Sequence, residues 1–200
     1  MGTFFSSAGI ARAVGRIVRN ERASQIVEFA VSLPLLVVFV VGIFDFSGAI
    51  TLKQKLTNAV REGARVAAAD PANDLSNASG NPIPASVYDA WQVVDSYLLS
   101  ENINDCRLGT TAPPVWSSGL TWVATTTGCS GGGTSNIVLT INRGCVTPES
   151  GSSPAVYAVN TCVTIVYPYS WKFSSVSGLF PGKFTGPTGI TTTSVAFNEN

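Results

Sequence analysis

Phe29 to Leu52 reads FAVSLPLLVVFVVGIFDFSGAITL, 24 residues carrying one charge, Asp45. A helix needs about 20 apolar residues to cross the hydrocarbon of a bilayer, so this run is long enough to span one. Arg12, Arg16, Arg19 and Arg22 precede it, offset by Glu21, and Lys53 and Lys55 follow it. The excess of positive charge on the N-terminal side predicts a cytoplasmic N-terminus and an exported remainder. A secretory signal is the competing reading, since Leu33 to Phe44 is a 12-residue apolar core and Ser47-Gly48-Ala49 offers small residues for a signal peptidase. The apolar face continues past that point instead of giving way to a loop, which favours a retained anchor.

Beyond the apolar run, Leu52, Leu56, Ala59, Val60, Gly63, Ala64 and Ala67 recur at spacings of three and four, one stripe of an amphipathic helix. The first strong terminator is Asp70-Pro71. The pattern predicts one helix over 24–69, roughly 69 Å long at 1.5 Å per residue. Its outer part presents a small-residue face for packing, with Gly63 and Ala64 at the centre. Pro34 should bend the helix, because its ring removes one backbone hydrogen bond and crowds the preceding turn. Glu28 and Asp45 bracket the apolar run. An ionisable group within hydrocarbon is costly and usually has a partner or a function, and a position at the interface, in water, is the alternative for Asp45.

Three pieces of this helix form a recognisable set. Arg22-Ala23-Ser24-Gln25-Ile26-Val27-Glu28-Phe29-Ala30 is followed by Leu33-Pro34-Leu35-Leu36 and then by Lys55-Leu56-Thr57-Asn58-Ala59-Val60-Arg61-Glu62-Gly63-Ala64-Arg65. The combination resembles the TadE-like family, pilin-related proteins of the tight-adherence (Flp) pilus apparatus. The resemblance implies a prepilin peptidase that removes a short basic leader on the cytoplasmic side and leaves a glutamate fifth in the mature chain. A cut between Ala23 and Ser24 puts Glu28 there, next to Phe29; the residue before the cut is usually Gly in pilin-like proteins and is Ala23 here. A glutamate one turn into an apolar helix has a ready counter-ion in the new N-terminus of a neighbouring subunit, and lipid screens that attraction little. Glu28 is therefore expected to set register during assembly. The partners so implied are the inner membrane, other pilin-like subunits and pilus assembly proteins. Glu62 and Arg65 have the spacing of a helix-surface pair worth a few tenths of a kcal/mol.

The rest of the chain differs in character. Residues 1–65 carry 8 basic and 4 acidic groups, net +4, and residues 66–200 carry 4 and 8, net −4. Residues 70–85 form a Pro/Asn/Gly-rich linker, in which Asn77-Ala78-Ser79 matches a glycosylation sequon but reads as an ordinary turn. Ser86-Val87-Tyr88-Asp89 resembles a capping box, and Val87, Trp91, Val94 and Leu98 recur at helical spacing, predicting a second helix over 86–101. Four strands follow, over 120–126, 136–142, 161–167 and 190–197, each β-branched or aromatic with alternation. Gly131-Gly132-Gly133 lacks the Lys of a phosphate loop and reads as a flexible turn. The expected architecture is α+β and pilin-like: a long transmembrane helix continuing outside the membrane, packed on a small antiparallel sheet with one extra helix. The expected organisation is a basic cytoplasmic leader over 1–23, the helix over 24–69, the linker over 70–85 and an exported domain over 86–200.

Cys106, Cys129, Cys145 and Cys162 all fall in that domain, with 22, 15 and 16 residues between them. No pair has the C-x-x-C spacing of zinc ribbons or thioredoxin-like sites, so two disulfides in an oxidising compartment are expected, and no metal. Three connectivities are open; Cys106 with Cys129 and Cys145 with Cys162 is the favoured one. The chain has no His, 12 Lys+Arg and 12 Asp+Glu. That removes the commonest general base and metal ligand as well as the basic footprint of a nucleic-acid binder. With no nucleophile elbow and no paired acidic motif, neither an enzyme nor a cofactor is expected. The other functional reading is a membrane-anchored adhesin domain whose surface would draw on Trp91, Trp116, Trp122 and Trp171.

Overall fold

A computed structural model describes residues 21–80, 82–129, 136–148, 157–172 and 187–198. The leader arginines Arg12, Arg16 and Arg19 and the glycine run 131–133 lie outside them. Helix α1 (Glu21–Ala69) is continuous through Pro34 and stops at the Asp70-Pro71 terminator. It is shared by two compact units, one reaching Phe46 and the other starting at Ser47.

In the first unit the large apolar side chains of α1, from Ile26 to Phe46, point outward; Phe29, Val31, Phe39 and Phe44 are each more than three-fifths exposed. A water-facing helix of this composition would be unstable, and lipid is the solvent that suits it. One helix among the described residues is long and apolar enough to cross a membrane, with its most apolar window entirely uncovered by protein. Asp45 departs from its neighbours, being only 7% exposed between outward-facing Phe44 and Phe46.

The second unit holds the rest of α1, α2 (Ala85–Ser100), the short α3 (Leu108–Thr111) and the strands β1 (Val115–Ser118), β2 (Thr121–Thr125), β3 (Val138–Pro148), β4 (Tyr157–Pro168) and β5 (Gly189–Phe197). The strands form one antiparallel meander in chain order. Leu56, Ala59, Val60, Ala64 and Ala67 of α1 are fully buried against Val87, Ala90, Val94 and Leu98 of α2 and Leu139, Val163 and Ile165 of the sheet. This is an α+β fold, and the apolar stripes expected of α1, α2, β3 and β4 are the faces that meet.

The sheet has five strands where four were expected. The extra one, β1, is short and wholly exposed, and pairing with β2 is what defines it. Strand β3 runs past Asn142 to Pro148 because a register shift between Asn142 and Cys145 absorbs the Arg-Gly interruption. The segment expected as a plain linker contains a 3-10 turn (Ala72–Asn77), closed by a hydrogen bond from Gly80 N–H to the Asn77 carbonyl. The capping box is also corrected. Pro84 occupies the cap position of α2, and the Ser86 N–H donates to Asp74 Oδ2 (2.9 Å), so a residue of the 3-10 turn caps the helix.

Helix α2 ends with Asn102 at φ 55°, while Asn102 N–H donates to the Leu99 carbonyl and Ile103 N–H to the Leu98 carbonyl. These two bonds around a left-handed residue satisfy carbonyls that the helix leaves open.

Candidate functional site

The residues singled out in the sequence fall into three places. Ala23 and Ser24 lie in the first turn of α1, followed by Glu28, Phe29 and Pro34. The side chains of Ser24, Glu28 and Phe29 are exposed, so the one carboxylate near the start of the apolar run stands on an uncovered helix surface. Gly63 and Ala64 belong to the packed half. A Cβ on Gly63 would stand 2.7 Å from Val94 Cγ2 and 3.3 Å from the Ala90 carbonyl oxygen, so a glycine is what lets α2 approach α1 this closely. Beside it, on the outside, the Arg65 guanidinium pairs with the Glu62 carboxylate, and that hydrogen bond holds Glu62 below the usual carboxylate range. Lys55, one face away, forms an ion pair with Glu101 at the end of α2 (3.0 Å).

Residues 23–65 match the family model described as TadE-like protein. No curated protein and no solved structure matches the chain. The TadE-like segment begins at the residue before the expected cut and ends within the packed half of α1, so it contains the whole apolar run, Glu28 and the Gly63 contact. It points to association with the tight-adherence pilus system, a family not known for enzymatic activity.

The third place is the part after α1, where Cys106 is bonded to Cys129 and Cys145 to Cys162. The second bond crosses from β3 to β4 at the register shift. The first joins the segment after α2 to the loop that follows β2. Among the tryptophans, Trp91 and Trp122 are buried in the core and Trp91 Nε1 donates to the Leu108 carbonyl (3.1 Å); Trp116 lies on β1, and Trp171 follows β4. Four tryptophans therefore do not make one binding surface. Among the described residues no group of three His, Cys, Asp or Glu is placed to hold a metal ion.

Sequence reasoning missed the residue that ties α1 to the sheet. Arg143 is 1% exposed. Its Nη1 donates to the Ala67 carbonyl, to Thr161 Oγ1 (3.1 Å) and to Asn198 Oδ1 (3.5 Å), and its Nη2 donates to the Asp70 carbonyl (2.9 Å). The last carbonyls of a helix lack partners within it and carry the negative end of its dipole, so a guanidinium there satisfies both. Burial lowers the Arg143 pKa, while the charges of Asp74 and Asp70 raise it. A guanidinium tolerates that pull and stays charged.

Asp95 plays the same part for α3. Its Oδ1 accepts from Gly109 N–H (2.9 Å). Burial pushes its carboxyl above the ordinary value of 3.8, Gly109 pulls it down and the neighbouring Asp105 raises it further. A raised native pKa means that the folded chain binds the proton more tightly than the unfolded one, so this group makes stability fall as pH rises through the window just above 3.8. Asp95→Asn keeps an acceptor for Gly109 without the buried charge. Denaturation midpoints of this variant should equal or exceed those of the parent at neutral pH and show a flatter profile in that window. A lower midpoint at neutral pH would mean that the charge itself is needed.

Proposed function

We propose that the chain is a pilin-related component of a tight-adherence (Flp, type IV-like) pilus, a minor pilin or an assembly subunit. In this reading α1 anchors it in the inner membrane by one pass, with the N-terminus cytoplasmic and the disulfide-bonded domain exported. The observation that carries the reading is the TadE-like match over 23–65 on a helix whose apolar half, with Glu28, is uncovered by its own chain. A subunit that must pack by this helix against neighbours needs such a surface, and an unsatisfied carboxylate on it gives register through pairing with a neighbour's N-terminus. The prepilin peptidase would cut between Ala23 and Ser24 and create that N-terminus.

The N-terminal residue and intact mass of protein recovered from native membranes test this. A chain beginning at Ser24 supports prepilin-type processing. A chain beginning at Ile50 would mean a secreted domain, and an intact Met1 would leave a plain anchored protein. For the charged residue, Glu28→Ala should leave membrane insertion intact but lower recovery of the subunit in pili or assembly complexes by about tenfold, the cost of one unpaired charge contact of roughly 1.4 kcal/mol. Unchanged recovery would refute the register role.

A further inference from the structure

Strand β4 runs alongside α1, back toward the apolar half of the helix, and the two can be levelled against each other. Thr161 shares the Arg143 guanidinium with the Ala67 carbonyl. Val163 Cγ1 lies 4.0 Å from the position of a Cβ on Gly63, and the Tyr169 hydroxyl 3.6 Å from the position of a Cβ on Gly48. From Gly63 to Gly48 the helix covers about 22 Å, and from Val163 to Tyr169 an extended chain covers about 20 Å. Helix and strand therefore stay in step to their common end.

That end coincides with a change of solvent on α1. Phe46 and Ile50 are the last large apolar side chains of the helix that face outward. About 20 residues span the hydrocarbon, and counting from Glu28 reaches Gly48, the residue beside the Tyr169 hydroxyl. Tyr169 and Trp171 pack edge to face with ring centroids 4.9 Å apart, and Trp171 Nε1 donates to the Pro187 carbonyl (2.7 Å). Both rings remain partly exposed, as does Tyr167. Rings of this kind, an apolar body with a polar tip, collect at the boundary between hydrocarbon and water. Lys53 is exposed on α1 just beyond, and exposed Lys172 follows Trp171 in the chain, so the surroundings suit anionic headgroups.

We propose that Tyr169 and Trp171 seat this end of the sheet in the headgroup layer of a phospholipid bilayer. This depends on α1 being a membrane anchor, and the test separates the two statements. The full chain, labelled with fluorotryptophan, is placed in lipid nanodiscs containing a lipid with a nitroxide just below its headgroup. Fluorine NMR resonances of the four tryptophans are assigned with Trp171→Phe and Trp122→Phe, and, should the Trp171 variant fail to fold, Trp171 is assigned by elimination from Trp91→Phe, Trp116→Phe and Trp122→Phe. The Trp171 resonance should lose most of its intensity to the nitroxide while that of Trp122 stays sharp. Protein that remains with the nanodisc and keeps Trp171 as sharp as Trp122 overturns the membrane seat and leaves the anchor standing. Protein that separates from the nanodisc overturns both.

Discussion

Arg143→Met should lower the stability of the unit that holds the sheet by about 3–5 kcal/mol, the usual cost of removing one member of a buried charged network. At about 2–4 °C per kcal/mol for a chain of this size, the thermal midpoint should drop by roughly 6–20 °C, read by near-ultraviolet circular dichroism on the full chain in detergent. The size follows from what the substitution strands. Methionine fills much of the volume but donates no hydrogen bond, so the Ala67 and Asp70 carbonyls and the Thr161 hydroxyl lose a donor inside the protein. Asp70 and Asp74 lose their nearby positive charge at the same time. Arg143→Lys should fall between the parent and the methionine form, because an ammonium keeps the charge but cannot reach two carbonyls and a hydroxyl with a fixed fork. A shift of under about 2 °C in Arg143→Met would show that water replaces the guanidinium without loss, contrary to the general cost of unmade buried hydrogen bonds.

Arg143 also marks where the sequence stops being legible. Its position could have been found: Ile137, Leu139 and Ile141 alternate toward the core, and Arg143 continues the same parity. A charge on the buried parity of a strand announces a buried partner. The partner could not be named, because the carbonyls it meets belong to residues 76 and 73 positions earlier and are backbone atoms of no particular residue type. The cap of α2 hid for a related reason. Ser86 had the local pattern, but Asp74, twelve residues upstream, reaches the N–H of Ser86 once the 3-10 turn folds. Strand β1 has no buried side chain to give it a period, so only the neighbouring β2 reveals it. The long-range features that were legible are those written as repeats: the three-four stripe of α1, the Val87-Trp91-Val94-Leu98 stripe of α2, and the alternation in β3 and β4. Each repeat fixes one face, and a core is what results when four such faces must be hidden together. The candidate site divides in the same way. The TadE-like segment is a linear pattern on one helix, whereas the apposition of Tyr169 with Gly48 arises only after β4 has turned back along that helix.

Removing the two disulfides separately should give equal losses of stability and unequal losses of protection. Each closes a loop of similar size, with separations of 23 residues for Cys106–Cys129 and 17 for Cys145–Cys162. Limiting the unfolded chain by such loops is worth on the order of 3 kcal/mol per bond, so Cys106→Ser with Cys129→Ser and Cys145→Ser with Cys162→Ser should lower the denaturation midpoint alike. The native surroundings differ. Around Cys145 and Cys162 the strands remain paired on both sides of the register shift, from Val138 opposite Val166 to Pro148 opposite Tyr157. Cys106 lies in a segment where Asn102, Cys106 and Arg107 all hold positive φ, a conformation that costs non-glycine residues energy and persists only when neighbours enforce it. The bond to Cys129 is the one covalent link on that segment, aided by Cys106 N–H donating to Asn104 Oδ1 (3.0 Å). Without the bond this stretch should open locally while the sheet stays folded. Arg107 is exposed within it and offers a trypsin site. Limited digestion of the full chain in detergent should cut after Arg107 much faster in the Cys106/Cys129 variant than in the parent, and at parental speed in the Cys145/Cys162 variant. Equal digestion of the two variants would mean that non-covalent contacts, among them those of Asn102, Asp95, Trp91 and Tyr167, suffice to hold the turn, and that the disulfide acts only on the unfolded chain.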